Sequence, residues 1–295
     1  TNNNEKISYN NLFRLIDQFS LSIKKERQLI LLLCKNNLET FTGYLSFIKN
    51  NNIVLLIDER INKLLLKKLT NTYKPDYIFM PKTKKIDSKN FKLDKKLYDY
   101  ILLKNKHNVK KNINDNLMAL ISTSGSTGSS KLVRLSYQNF SSNIYSVNKS
   151  LPINKNDITI TTLPMSYVYG LSIINSHFYK GCTINLNEKS FVDADFWRKM
   201  VKNKINSFGG VPYNYQIIDK LNLEKFDLSN LRYSTLAGGK LNNQILSRII
   251  KKYKKLKLQL ISMYGASEAT ARMSYLNWNK AKKKIGSIGK PIEGG

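Results

Sequence analysis

Short, fully apolar runs alternate with amphipathic stretches along this chain, and that alternation restricts the fold more than any other feature. Residues 28–34, 52–58 and 76–80 read as buried strands. The stretches 11–24, 38–49 and 60–73 have helical spacing, with Leu12, Leu15, Ile16 and Phe19 on one face of the first. Strands buried on both faces and joined by crossover helices pair in parallel, which predicts an α/β architecture. Residues 82–115 are rich in Lys, Asn and Asp and predict a surface connection between two α/β units. From residue 117 the alternation resumes, with strands predicted at 117–122, 157–163, 182–186, 205–209, 231–237 and 257–263. The clearest helix between them, 243–256, aligns Ile245, Leu246, Ile249, Ile250, Tyr253 and Leu256 in one stripe. The expected division is therefore 1–115, 116–284 and a Gly-containing tail, 285–295, of turns between short strands.

Composition excludes several function classes. With 295 residues and 41% apolar content the chain can build a large core. Its longest apolar run, Leu29 to Cys34, is six residues, whereas a membrane span needs about 20. No secretory signal pattern opens the sequence, and the two cysteines, Cys34 and Cys182, lie in apolar contexts expected of reduced core thiols in a cytoplasmic protein. The only histidines are His107, in a Lys/Asn-rich loop, and His177, within an expected helix; both read as structural, and Ser–His–Asp catalysis is hard to build from so few. Lys and Arg number 49 against 20 acidic residues, a net charge of +29. That charge allows nucleic-acid binding as an alternative function. Lys, Asn and Ile are abundant throughout, however, and no helix-turn-helix, finger or RNA-binding signature accompanies the charge, so compositional drift explains it better.

One segment names a ligand class. Met118-Ala-Leu-Ile-Ser-Thr-Ser-Gly-Ser-Thr-Gly-Ser-Ser-Lys131 is an apolar strand opening into a Ser/Thr/Gly loop that ends in Lys. Backbone N–H groups and hydroxyls of such a loop can surround phosphate oxygens, and the Lys adds positive charge. The Gly-Lys-Ser/Thr of a Walker loop is missing, and a flexible linker would lack the apolar flanks 117–121 and 132–135.

Thr123 to Lys131 resembles the signature of the adenylate-forming (AMP-binding) superfamily, which includes acyl-CoA synthetases, peptide-synthetase adenylation domains and beetle luciferase. Further segments match in the family's order. Ser136-Tyr-Gln-Asn139 is similar to Ser/Thr-His-x-Asn, and Leu163-Pro-Met-Ser-Tyr-Val-Tyr-Gly170 resembles the segment bordering the carboxylate pocket. Phe208-Gly-Gly-Val-Pro212 resembles a pocket wall, Ala237-Gly-Gly-Lys240 the Gly-Gly-Glu turn beside adenine, Met263-Tyr-Gly-Ala-Ser-Glu268 the Tyr-Gly-x-Thr-Glu motif, and 285–291 the Gly-x-x-Gly-x-Pro segment.

The resemblance implies a large N-terminal domain with two mostly parallel sheets packed with helices and a short β tail. It implies ATP-dependent conversion of a carboxylic acid to an acyl-adenylate with release of pyrophosphate, then transfer to a thiol of CoA or of a carrier protein's phosphopantetheine. Thr123, Ser124, Gly125, Ser126, Thr127, Gly128 and Lys131 would hold the ATP phosphates. Ser267 would offer its hydroxyl to the α-phosphate, and Glu268 would ligate Mg2+; Lys131, Ser267 and Glu268 form the expected catalytic set. Gly238, Gly239 and Lys240, with Met263, Tyr264, Gly265 and Ala266, would border adenine, Tyr264 stacking on it. Tyr167, Gly209, Gly210 and Val211 would line the acid pocket, and Tyr167 in place of an Asp disfavours an α-amino acid. The continuation 269–275 resembles bacterial acyl-CoA synthetase-like proteins. The family's ribose-binding Asp, hinge and small lid domain, with its Lys, would follow residue 295, so residues 1–295 alone are expected to bind ATP or AMP but adenylate poorly. A nucleotide-binding regulator without catalysis is the second alternative.

Overall fold

The computed structural model describes residues 6–21, 23, 27–86, 88–107, 111–123 and 132–294. Helix α1 (Tyr9–Ser20) leads to β1 (Leu29–Cys34), whose six residues are all buried. Then follow α2 (Leu38–Lys49), β2 (Ile53–Asp58), α3 (Lys63–Tyr73) and β3 (Tyr77–Pro81). The abundant Asn serves these helices as caps: Asn37 Oδ1 accepts from Thr40 N, and Asn62 Oδ1 accepts from Leu65 N. Strands β1, β2 and β3 pair in parallel with β1 central, in agreement with their apolar run pattern.

Residues 82–115 are more than a surface connection. They contain β4 (Phe91–Leu97) and β5 (Tyr100–Asn105), an antiparallel pair added beside β3. Tyr100 and Leu102 are buried, and the Tyr100 hydroxyl donates to Leu33 O at 3.1 Å. Strand β4 lies at the sheet margin and exposes Lys92, Asp94 and Lys96, so its composition conceals a strand. A second unanticipated strand follows β6 (Leu117–Ser122): β7 (Leu132–Ser136) returns antiparallel to it. The first sheet thus runs β4-β5-β3-β1-β2-β6-β7, parallel only across its four central strands. One face packs Phe19, Phe47, Phe79 and Tyr100, with ring centroids 5.0–6.0 Å apart for the neighbouring pairs.

The remaining elements are α4 (Tyr137–Ser150), β8 (Ile158–Ile160), α5 (Val168–Tyr179), β9 (Thr183–Asn185), α6 (Ala194–Lys202), β10 (Ser207–Gly210), α7 (Pro212–Lys220), β11 (Tyr233–Leu236), α8 (Asn243–Lys255), β12 (Gln259–Tyr264), β13 (Ser274–Leu276) and β14 (Lys290–Pro291). The second sheet runs β14-β13-β12-β11-β10-β8-β9, parallel from β9 to β12 and antiparallel at its last two strands. Its core gathers Phe191, Phe196, Trp197, Phe208 and Tyr215 with Leu246, Ile249 and Tyr253 of the expected α8 stripe. Two mixed seven-stranded sheets packed with eight helices make up the described residues.

Contacts group the chain into two compact units: Thr1–Gln138 with Pro164–Tyr167, and Asn139–Leu163 with Val168–Gly295. The sequence reading divides the chain at 115/116; β6 and β7, which join the first sheet, lie beyond that point. Likewise Lys290–Pro291 of the tail pairs with β13 in the second sheet.

Candidate functional site

In the second unit, strands β10, β11 and β12 are parallel neighbours in register: Gly210 stands opposite Leu236, and Leu236 opposite Ser262. Three sequence-distant segments therefore leave the same sheet edge: 209–211, 237–240 and 263–268. The Ala237 amide donates to Gly210 O at 3.1 Å, tying the first two together. Loops at the carboxyl ends of parallel strands are where α/β folds bind ligands.

Each segment shows why its residue types are needed. A Cβ on Gly209 would overlap Ile173 Cδ1 and stand 3.0 Å from the Tyr169 hydroxyl. That hydroxyl is fixed against Thr235, 3.0 Å from the carbonyl and 2.7 Å from Oγ1. Gly210 is buried, and the Val211 amide donates to Asn214 Oδ1 at 2.9 Å where α7 begins. Gly238 turns the chain with φ +83°, and Gly238, Gly239 and Lys240 are exposed.

Residues 265–271 form a tight turn. Gly265 is obligatory there, since a Cβ would overlap the Ala271 carbonyl. Ser267–Ala269 form one turn of 3-10 helix, with the Ala269 and Ala271 amides both donating to Ala266 O at 3.1 Å. The Met273 amide closes the loop on Tyr264 O at 2.8 Å. Met263 is buried, Tyr264 is 46% exposed, and Gly265 and Ala266 are half-buried. Ser267 is buried while Glu268 is exposed, with no ion pair among the described residues. Thr270 (φ +59°) and Ala271 (φ +97°) then occupy left-handed backbone, a costly state for a β-branched residue and one that collects at functional sites.

That strained pair delivers Arg272, which sequence reasoning passed over. Its side chain is 2% exposed, and its Nε and Nη1 have no hydrogen-bond partner among the described residues. The guanidinium lies over the Tyr169 ring, 5.2 Å from the centroid, and its backbone carbonyl accepts from Asn143 Nδ2 at 2.8 Å. Burial holds its pKa below the usual arginine value, opposed by Tyr169 and Tyr233. A signal was present in the sequence: Arg272, Ser274 and Leu276 alternate with Met273 and Tyr275, which places the Arg on the buried side of β13's approach.

The other expected residues fall elsewhere. Thr123 follows β6 in the first unit, and Ser124, Gly125, Ser126, Thr127, Gly128 and Lys131 lie outside the described residues. Tyr167 groups with the first unit; it is half-buried, and burial raises its phenol pKa. His177 is structural, as expected: Nδ1 donates to Ile173 O at 2.8 Å, which leaves Nε2 to accept from the Tyr233 hydroxyl at 3.2 Å. Cys34 and Cys182 are buried thiols outside any disulfide, and burial pushes the Cys182 thiol up to about 11.

The family described as AMP-binding enzyme matches residues 1–295. The 2-succinylbenzoate–CoA ligase of Bacillus cereus (strain Q1) is 28% identical over 177 residues, 59% of this chain and 35% of that protein. The enzyme of the same name from Lactococcus lactis subsp. lactis is 28% identical over 181 residues, 61% of this chain and 38% of its own length. The aligned region thus spans about a third of these relatives. Among solved structures, o-succinylbenzoate CoA synthetase (MenE) from Bacillus subtilis in complex with the acyl-adenylate intermediate OSB-AMP superposes with a TM-score of 0.76 at 17% identity, covering 98% of this chain and 60% of that one. The inhibitor-bound N-terminal domain of FACL13 from Mycobacterium tuberculosis gives 0.75 at 16% identity, covering 95% and 73%.

Proposed function

Because the chain belongs to the AMP-binding enzyme family, we propose that it is the nucleotide-binding part of an ATP-dependent acid–thiol ligase. A carboxylate oxygen of the acid attacks the α-phosphorus of ATP, the bond to pyrophosphate breaks, and a thiol then displaces AMP from the acyl carbon. The relatives' names favour CoA as the thiol carrier; a carrier-protein phosphopantetheine would present the same group. Two buried thiols, neither in a disulfide, support a reducing compartment such as the cytoplasm.

The observation that carries this reading is the convergence of 209–211, 238–240 and 263–268 at one edge of three parallel strands. Exposed Tyr264 offers a ring face to adenine, and the exposed glycine turn at 238–239 lets backbone approach the base. The reaction brings two anions together, so neutralisation and in-line positioning dominate its barrier. Lys131 and the hydroxyls of 123–127 would hold the β- and γ-phosphates, and Ser267 would hold the α-phosphate. Glu268, exposed and without an ion pair among the described residues, fits Mg2+, a hard cation that takes one or two carboxylates together with phosphate oxygens. Bound there, Mg2+ would offset charge on the phosphate oxygens. Val211 and the buried glycines before it would wall the acid.

Acid-dependent exchange of labelled pyrophosphate into ATP, measured with the full-length protein over a panel of carboxylates, tests the reading. Exchange with at least one acid is expected; its absence with every acid, while ATP still binds, would leave a nucleotide-binding regulator in its place.

A further inference from the structure

We propose that Tyr215 of α7 is a positioning residue for the nucleotide: its hydroxyl holds the backbone of β11 where that strand runs out into the 237–240 turn. The inference rests on the ligase reading for what that turn meets, but the geometry behind it does not.

The end of β11 is gripped from both faces of its sheet. Gly209 and Gly210 are successive residues of β10, so their side-chain positions face opposite ways. A Cβ on Gly209 would stand 3.0 Å from the Tyr169 hydroxyl, and one on Gly210 would stand 3.0 Å from Cε2 of the Tyr215 ring. Each phenol therefore passes a glycine, one coming from α5 and the other from α7. Both reach the next strand at the same atom: the Tyr169 and Tyr215 hydroxyls each donate to Thr235 O at 3.0 Å.

Tyr215 brings more than a ring. It is fully buried in a core that includes Trp197, Phe208 and Ile249, where a phenyl group would fill the same space with no polar atom to satisfy. A buried hydroxyl is unfavourable unless it is bonded. This one meets Thr235 O and stands 2.8 Å from Ser234 Oγ, which donates to the Tyr253 hydroxyl at 3.1 Å. The same helix also reaches the turn itself. A Cβ on Gly239 would stand 3.2 Å from Cγ of Pro212, the residue that opens α7. Only Leu236, Ala237 and Gly238 separate the two contacts, and the Ala237 amide is tied to Gly210 O at 3.1 Å. A piece so short, fixed near both ends, presents its exposed backbone in one arrangement, and a ligand that meets it need not order it first. Without the Tyr215 hydroxyl, Thr235 O keeps the Tyr169 bond alone and the grip from the α7 face is lost.

Tyr253 supplies the control. It is buried in the same network, but its hydroxyl bonds Ser234 Oγ and, among the described residues, no backbone of β11. The test compares full-length wild type, Tyr215→Phe and Tyr253→Phe. The AMP dissociation constant is read by calorimetry, Tm by thermal unfolding, and the ATP KM and kcat by pyrophosphate exchange. Each variant loses one buried hydroxyl, so both are expected to lower Tm by about 2–4 °C. Only Tyr215→Phe should raise the AMP dissociation constant and the ATP KM, by about tenfold, with kcat within about twofold of wild type. Wild-type AMP affinity in Tyr215→Phe, an equal loss in both variants, or a fall in kcat at wild-type KM overturns the proposal. Tyr215-dependent AMP binding without exchange on any acid would end the ligase reading and leave this one standing, whereas a wild type that binds no nucleotide ends both.

Discussion

The Met273 amide donates to the Tyr264 carbonyl at 2.8 Å, so the residue expected to stack on adenine and the residue after Arg272 are clamped to one another. Between them the chain has room only for a turn containing Gly265, the short 3-10 segment and two left-handed residues. One closure therefore presents Glu268 outward and sends Arg272 inward.

Glu268→Ala separates stability from chemistry. The side chain is exposed and makes no ion pair among the described residues. Unfolding free energy should change by no more than about 0.5 kcal/mol. Pyrophosphate exchange at fixed Mg·ATP should fall about a hundredfold, the scale for losing one preorganised electrostatic group. Denaturant titration and exchange kinetics on the same preparation check both halves.

Gly265→Ala should do the opposite, damaging the turn itself. Its new methyl would overlap the Ala271 carbonyl, which is backbone and cannot rotate away. A loss of about 2 kcal/mol or more in urea denaturation is expected, together with weaker nucleotide-dependent stabilisation. A neutral outcome would mean that the turn rearranges freely.

The His177 imidazole makes stability pH-dependent. Burial holds its pKa down at about 4 against an ordinary 6.5, so it stays neutral in the folded chain. The unfolded chain binds the extra proton below about 6.5, so this contribution is complete above that pH, declines as pH falls toward 4, and then levels off. Its size is about 3 kcal/mol, at 1.36 kcal/mol per pKa unit. Unfolding free energies at pH 7 and pH 4.5 should converge by most of that amount in His177→Asn relative to wild type.

Arg232→Ala should be costly for a reason local to Asp157. The Arg232 Nη2 lies 2.6 Å from Asp157 Oδ1, and that carboxylate is 1% exposed. The Arg232 side chain is itself 41% exposed, so water screens part of the loss, and removing it from beside the buried carboxylate should cost about 1–2 kcal/mol. Arg232→Ala combined with Asp157→Asn should recover part of it, as a double-mutant cycle in guanidinium chloride would show.

How much of this was legible in the sequence depended on the physics each segment obeys. Helix α2 spans the expected 38–49, and β1 and β2 are each one residue shorter than expected, because strands buried on both faces leave unbroken apolar runs. Strands β4 and β7 escaped notice since a marginal strand buries little and carries Lys, Asp or Arg that imitates a loop. The convergence of 209–211, 238–240 and 263–268 followed from parallel order, which the alternation implied. Arg272 could not be weighed in advance, because the burial of a charge without a partner is a property of packing and leaves only a faint alternation in the chain.

Strand β4 has a consequence for neighbouring molecules. Unpaired amides and carbonyls along a sheet margin invite a strand from another chain. Here the invitation is withdrawn twice: the register slips between Leu93 and Lys95, and a second copy pairing at this margin would bring its own exposed Lys92 and Lys96 beside the same cations on a chain of net charge +29. Two copies meeting at this margin repel before they can zip, so crowding during synthesis is countered at the very strand whose charges hid it from view.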